Sequence, residues 1–196
     1  MTEVSTAEPI GTALAQVVAL NEGAKAIRRS AFEVNLRALG AIVQSRRAGA
    51  SLRGFSEVST QMQRWSESLE AAAARLTKGC TARVRVVSDD ARRGRQQALL
   101  RRALASSARS AEAAALPGED AAPAALRRSS REVRVAVSAL QELGLMATVL
   151  ARAALVEACE GNEQQRRDLS EISREFAAHA EDVNAVVRVL VDSTER

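Results

Sequence analysis

The chain has 196 residues, enough for one or two domains with a sizeable core, but only 2% of them are aromatic and none is tyrosine. Alanine, leucine, arginine, glutamate and serine dominate, a composition typical of long helices packed through small residues and not of a β-sandwich or an α/β enzyme. The formal net charge is +4, but residues 157–196 hold ten acids against five arginines, so the rest of the chain is more basic. No run approaches the length of a membrane span and no positively charged signal region opens the chain, so we expect a cytoplasmic protein.

The first predicted helix carries an apolar residue at every third or fourth position, the heptad spacing of a helix–helix seam. This seam consists of Ile10, Ala13, Val17, Leu20, Ala24, Ile27, Ala31, Val34, Ala38 and Ala41. A helix cap is predicted before it, at Ser5. A second apolar stripe, formed by Phe32, Leu36, Leu39 and Val43, occurs only near the end of the helix. A two-helix seam does not need this stripe, so it faces either the core of a larger bundle or a separate partner, and the sequence leaves both open.

A turn is predicted near residues 48–54, where Gly49 and Gly54 are able to take the positive φ angles that reverse a chain. The descending helix repeats the heptad spacing through Phe55, Val58, Met62, Trp65, Leu69, Ala72 and Leu76. The spacing fails at Gly79, and a β-prone run that includes Val84 follows. We therefore expect an interruption around residues 78–90, and then a further helix to about residue 116 that ends at Pro117-Gly118.

The hairpin around this turn matches one known sequence pattern without a gap. The matching residues are Phe32, Asn35-Leu36, Ala38-Leu39, Ala41, Val43, Arg47-Ala48-Gly49, Arg53-Gly54-Phe55 and Val58. Over these 27 residues the chain resembles the cytoplasmic tip of bacterial methyl-accepting chemotaxis receptors. In that family the tip docks a histidine autokinase and its coupling protein, and packs receptor dimers into trimers. The chain departs from the family at Gly40, Gln44, Ala50 and Leu52, where the family usually has Asn, Glu, Glu and Gly.

The resemblance implies that the tip makes protein–protein contacts. The implied partner-binding residues are Phe32, Asn35, Leu36, Leu39, Val43, Gln44, Arg47, Arg53 and Phe55. The implied partners are a chemosensory histidine kinase, its coupling protein or chemoreceptors.

A second hairpin follows a linker at residues 119–123. Its first arm carries Leu126, Val133, Ala136, Leu140, Leu143, Ala147, Leu150 and Ala154, and its last arm carries Leu169, Ile172, Phe176, His179, Val183, Val186 and Leu190. The last arm superposes on the first descending arm at an offset of 114 residues, and Val156 matches Val43 at an offset of 113. The sequence thus divides into a first receptor-like hairpin at 1–80, a connecting helix and linker at 81–123, and a diverged second hairpin at 124–196 with its tip at about 161–167.

Two unlike hairpins in one chain favour a particular architecture, because each amphipathic hairpin needs a partner to cover its seam and tethering raises that partner's effective concentration. The predicted fold class is all-α, with antiparallel helical hairpins forming a four-helix coiled-coil bundle. We expect a single-chain pseudo-dimer, monomeric rather than homodimeric. Glu157 and Glu163 occupy the family's acidic positions that are lost at Gln44 and Ala50, so the two tips are predicted to attract each other unless these charges are simply solvated.

No pattern indicates catalysis, a cofactor or a metal. The only histidine, His179, falls on an apolar seam, where a core position is favoured over a ligand or a base. Cys80 and Cys159 stand alone and are interpreted as reduced thiols. There is no phosphate-binding loop or nucleophile elbow, so we do not expect an enzyme. The Gln/Glu pairs at 96–97, 141–142 and 163–164 are interpreted as solvated helix surface rather than methylation sites.

Three functional hypotheses follow. The first is a chemoreceptor-like signalling protein that acts by helix–helix contact with a chemosensory kinase, its coupling protein or receptors. The alternative is a structural or interaction module with a receptor-like bundle but no kinase partner. A basic nucleic-acid-binding protein is disfavoured, because the arginine doublets are scattered, interleaved with acids and without stacking aromatics.

Overall fold

The computed structural model describes residues 7–106, 121–160 and 162–195. It contains four α-helices: α1 (Ala7–Ala48), α2 (Arg53–Ser106), α3 (Ala121–Glu157) and α4 (Glu163–Glu195). A short 3-10 helix, Gly49–Leu52, joins α1 to α2. No strand occurs within these ranges, and the four helices pack against one another, which confirms the predicted all-α four-helix bundle.

The helices are arranged as two antiparallel hairpins in one chain. α1 packs against α2 and α4, and α3 packs against the same two helices, so α2 and α4 occupy diagonal corners. Both tips lie at one end, where Gly54 of the first hairpin meets Glu157 of the second. At the other end, the side-chain amide of Gln16 donates a hydrogen bond to the carbonyl of Ser193.

Most residues of the predicted seams lie in the core, but Leu126 is 38% exposed. One continuous cluster of buried side chains runs along the bundle from Val17 to Leu190, and a smaller cluster under the tips contains Ala41, Leu52, Phe55, Ala158 and Leu169. α1 is unbroken, as its seam predicted, and it ends where Gly49 takes a φ of 82° that side chains with a Cβ rarely adopt. The predicted cap at Ser5 lies outside the described residues.

The predicted interruption of the second helix around residues 78–90 is wrong, because α2 is continuous from Arg53 to Ser106. Gly79 is a packing position rather than a break: a Cβ there would lie 3.1 Å from a Cγ of Val133 on α3. The neighbouring Cys80 is buried, and Val84 packs against the core despite its β propensity. Tertiary packing has overridden local propensity here. The predicted helix end near residue 116 lies outside the described residues.

The second turn also differs from its prediction. α3 ends at Glu157 and α4 begins at Glu163, so the chain reverses earlier than the expected 161–167. Asn162 accounts for this start, because its side-chain oxygen accepts a hydrogen bond from the Gln165 amide at 2.9 Å while the Gln165 side chain accepts one from the Asn162 amide at 3.0 Å. This reciprocal pair satisfies two amides that a helix start leaves free.

Among the described residues, one helix segment, Ala124–Glu157 of α3, is long and apolar enough to cross a membrane by length and composition alone. The sequence reading expected no such run. Only 33% of the segment's most apolar window is buried in the bundle. α3 is therefore apolar on its outer face as well as on its core seam.

Candidate protein-interaction surface

Four apolar side chains lie outside the core on the last turns of α1. We call Phe32, Leu36, Leu39 and Val43 the tip stripe; their exposed fractions range from 43% to 61%. The seam residues beside them on the same turns, such as Val34 and Ala38, are fully buried. The sequence left open whether this stripe belongs to the core or to a surface, and in the folded chain it lies on the surface.

The tip stripe is contiguous, because its residues are spaced by four, three and four positions and so follow one face of the helix. Single exposed apolar residues are common on proteins, whereas contiguous apolar patches mark interaction sites. Covering four half-exposed side chains of this size contributes on the order of 4 kcal/mol at about 25 cal/mol per Å². This is the spacing of anchors by which a helix packs into a groove or against another helix.

The other predicted contact residues are divided between the surface and the core. Gln44, Arg47 and Arg53 are exposed, whereas Asn35 is half-buried. Phe55 is only 1% exposed and belongs to the core beneath the tips, so the prediction that it contacts a partner is wrong. The Phe55 ring, at the start of α2, fills the space under the turn between α1 and α2.

A small cleft adjoins the stripe between the end of α1 and the start of α4. It has a volume of about 270 Å³ and is lined by Gln44, Arg47, Leu52, Gln165, Asp168 and Leu169. Leu52, where the family usually has Gly, is buried at the base of the tips. The start of α4, in the second hairpin, therefore forms one wall of this cleft. The end of α1, which carries part of the receptor-like motif, forms the other wall.

The predicted attraction between the tips takes a different form in the structure. Among the described residues no ion pair joins Arg47 to Glu157, and Glu163 pairs instead with Arg167 on its own helix. Glu157 lies directly against Gly54, where a Cβ would overlap its carboxylate and displace that side chain. Gly54 thus leaves room for the Glu157 carboxylate, which is a steric role rather than an electrostatic one.

A second exposed stripe, on α3, was not predicted from the sequence. Leu145, Val149 and Val156 are between 67% and 72% exposed. They correspond to Phe32, Leu36 and Val43 at the offset of 113 residues that relates the tips, while Arg152 takes the place of Leu39. The match of Val156 to Val43 was the available signal, and extending it back by three turns would have found the stripe.

Polar contacts on the α1–α4 side connect the hairpins beside the tip stripe. Arg37 forms an ion pair with Glu175 at 3.1 Å, and His179 lies 3.6 Å from Glu33. The predicted core position of His179 is wrong, because its side chain is half-buried and the neighbouring Ala180 takes the core position. No group of three residues suited to binding a metal occurs in the described part of the chain.

One aromatic contact connects the hairpins through the centre of the bundle. Trp65 of α2 and Phe176 of α4 meet edge to face, with their ring centroids 5.5 Å apart and their planes at 86°. The indole N–H of Trp65 donates a hydrogen bond of 2.8 Å to the carbonyl of Leu143 on α3. These contacts join α2, α3 and α4 in the interior of the bundle and so give the surface that carries the tip stripe a rigid support.

The fold and surface define a class of protein: an all-α four-helix bundle of two unlike hairpins with an apolar, arginine-flanked face near its tips. Comparison with protein-family models, with curated proteins and with solved structures found no match.

Proposed function

We propose that this protein is a cytoplasmic, chemoreceptor-like signalling protein that acts by helix–helix contact of its tip with a chemosensory histidine kinase, its coupling protein or receptors. The observation that carries the proposal is the exposure of the tip stripe within the segment that resembles the receptor tip. Of the nine implied contact residues, seven are exposed, and the four apolar ones on α1 form a single face.

The surface has the composition of a contact site. Apolar anchors in its centre are bordered by Arg46, Arg47 and Arg53, all exposed. An apolar centre with a charged border is the usual anatomy of a protein interface, in which a few buried anchors supply most of the affinity. A bundle built from one chain presents this face without first having to dimerise.

The proposal concerns contact rather than activation of a kinase. Gln44 is uncharged where the family usually has Glu, and Leu52 closes the base of the tips where the family usually has Gly. A tip with these substitutions retains apolar anchors for docking but lacks the acidic side chain that the family usually has at position 44. The protein would therefore occupy a kinase, coupling protein or receptor surface without reproducing the family's full charge pattern.

The experiment is co-purification of the full chain with a purified chemosensory kinase and coupling protein. Leu36→Arg places a charge in the centre of the tip stripe and should abolish capture. Val18→Arg is the matched control, because Val18 is an equally exposed apolar residue on the same face of α1 but four turns away from the stripe. Loss of capture in both variants, or in neither, would contradict the proposal.

A second candidate function is an interaction module that has no kinase partner. The stripe on α3 favours it, because Leu145, Val149 and Val156 form an equivalent apolar face without the receptor-like motif. Under this hypothesis Val149→Arg and Leu36→Arg would both reduce capture of a shared partner other than the kinase or its coupling protein. Capture of the kinase that depends on Leu36 alone would exclude it.

A further inference from the structure

The end of α2 projects beyond the rest of the bundle. α2 has 54 residues, whereas α1, α3 and α4 have 42, 37 and 33. Gly79 lies level with Val133, and Arg83 lies close to Gln16 and Thr194, near the open ends of α1 and α4. Beyond this level the helix is on the surface all round: from Arg92 to Ala103 every residue except Gln97 is exposed.

Arginines that are scattered in the sequence meet at this end. Residues 124–134 of α3 run antiparallel beside α2 around Arg83, and residues 83–102 of α2 continue from that level to the projecting end. These two segments contain eleven arginines against only Asp89, Asp90 and Glu132. The acidic helix α4 occupies the diagonal corner from α2. Asp192, near the end of α4, lies at this same end of the bundle, so the end is strongly basic on its α2–α3 side.

The projecting helix also exposes apolar side chains. Leu99 and Leu100 are 64% and 50% exposed, and neighbouring positions of a helix place them on one side. At 100° per residue, Arg95 and Arg102 lie together beside Leu99, Arg92 and Arg93 share the face of the two leucines two turns earlier, and Arg101 lies behind it. Arginines placed in this way reach around the leucines with their long side chains and put the guanidinium groups at the boundary of an apolar layer.

We propose that this basic end, formed by the projecting part of α2 and the start of α3, binds the surface of an anionic phospholipid membrane. Clustered arginines attract anionic headgroups, and exposed leucines on the same helix enter the boundary between headgroups and acyl chains. A nucleic acid fits the site less well, because the leucines contribute nothing to binding phosphates and all four aromatic residues of the chain lie elsewhere. This inference is independent of the proposed function. Arg92 lies roughly 60 Å along α2 from the tips, at 1.5 Å per helical residue.

The test is co-sedimentation of the full chain with vesicles of phosphatidylcholine, with and without phosphatidylglycerol. The chain should sediment only with the anionic vesicles, and added salt should weaken binding. Each basic side chain near an anionic surface contributes about fivefold, so Arg92→Gln/Arg93→Gln should reduce binding roughly 30-fold. Leu99→Gln/Leu100→Gln should also reduce it, by at least about tenfold.

The matched control removes the same number of charges from the same helix. Arg64 and Arg75 are exposed on α2 nearer the tips, so Arg64→Gln/Arg75→Gln should change binding less than about twofold, because each charge lies beyond the screening length of the membrane contact. Circular dichroism should show all variants equally helical. Equal binding to uncharged vesicles would overturn the inference, as would equal losses in the Arg92/Arg93 and Arg64/Arg75 variants.

Two further outcomes would also contradict a membrane site. One is tighter binding to duplex DNA than to anionic vesicles, abolished by Arg92→Gln/Arg93→Gln. The other is a dimer in light scattering that Leu99→Gln/Leu100→Gln converts to monomer, without any vesicle binding by the wild-type chain.

Discussion

Trp65 offers the sharpest test of whether the two hairpins pack together within one chain. Its side chain is buried, its ring meets Phe176 edge to face, and its N–H donates a hydrogen bond to Leu143. Trp65→Ala removes all of these contacts and leaves a cavity, so the free energy of unfolding should fall by about 3–5 kcal/mol. Trp65→Phe keeps a ring but loses the hydrogen bond, and should cost about 1–2 kcal/mol.

The contact between the two rings is isolated by a double-mutant cycle of Trp65→Leu and Phe176→Leu. Edge-to-face aromatic pairs contribute about 0.5–1.5 kcal/mol beyond the area they bury, so the double variant should be more stable than additivity predicts by that amount. Unfolding in urea followed by far-ultraviolet circular dichroism measures each free energy. As a control, Trp65→Leu should combine additively with Leu20→Ala, which lies buried far along α1.

Coupling near zero between Trp65 and Phe176 would refute the packing of the hairpins at this point. A coupling that depends on protein concentration would refute its intramolecular origin. In either case the tip stripe would lose the rigid support on which the proposed function depends.

Three further predictions concern local features of the bundle. Gly23→Ala should destabilise the protein by about 1–3 kcal/mol in urea unfolding, because its Cβ would lie 2.6 Å from a buried leucine of α4. Gly40 lies in open space, so Gly40→Ala should stabilise the protein by roughly 0.5–1 kcal/mol. Equal effects of the two substitutions would contradict the packing. Burial raises the pKa of the Cys80 thiol, so a thiol-specific reagent near neutral pH should modify the exposed Cys159 and reach Cys80 only on unfolding; two equally fast thiols would contradict this. Asn162→Ala should cost about 1 kcal/mol by removing the cap of α4, and an unchanged stability would show that the cap is not formed.

The sequence was most informative where spacing alone decides the structure. The alternation of three and four residues predicted the continuous α1 and placed residues such as Leu20, Ile27 and Val34 in the core. Glycines were harder to interpret, because the same residue serves as a stop at Gly49 and as a packing position at Gly79. The position of the neighbouring helix distinguishes these roles, and a local sequence pattern carries no information about that position.

The candidate surface was predicted in part. The tip stripe was recognised from its residues, but its exposure depends on where α4 packs beside α1, which spacing does not determine. Phe55 was assigned to the surface because its motif is a contact motif, although its ring lies in the core of the tips. The basic end was not predicted, since the arginines of α2 and of the start of α3 come to one end of the bundle only when α2 continues through residues 78–90 and α3 returns alongside it.

The central claim is that the tip stripe serves a partner and not the core, and one variant tests both parts. Leu36→Arg should leave the free energy of unfolding within about 0.5 kcal/mol of wild type, because the side chain already lies half in water. In titrations against the kinase and coupling protein, the same sample should bind at least about 30-fold more weakly, the effect expected when a charge replaces an apolar anchor. A stably folded variant that binds as tightly as wild type would contradict the account, and so would a variant that no longer folds.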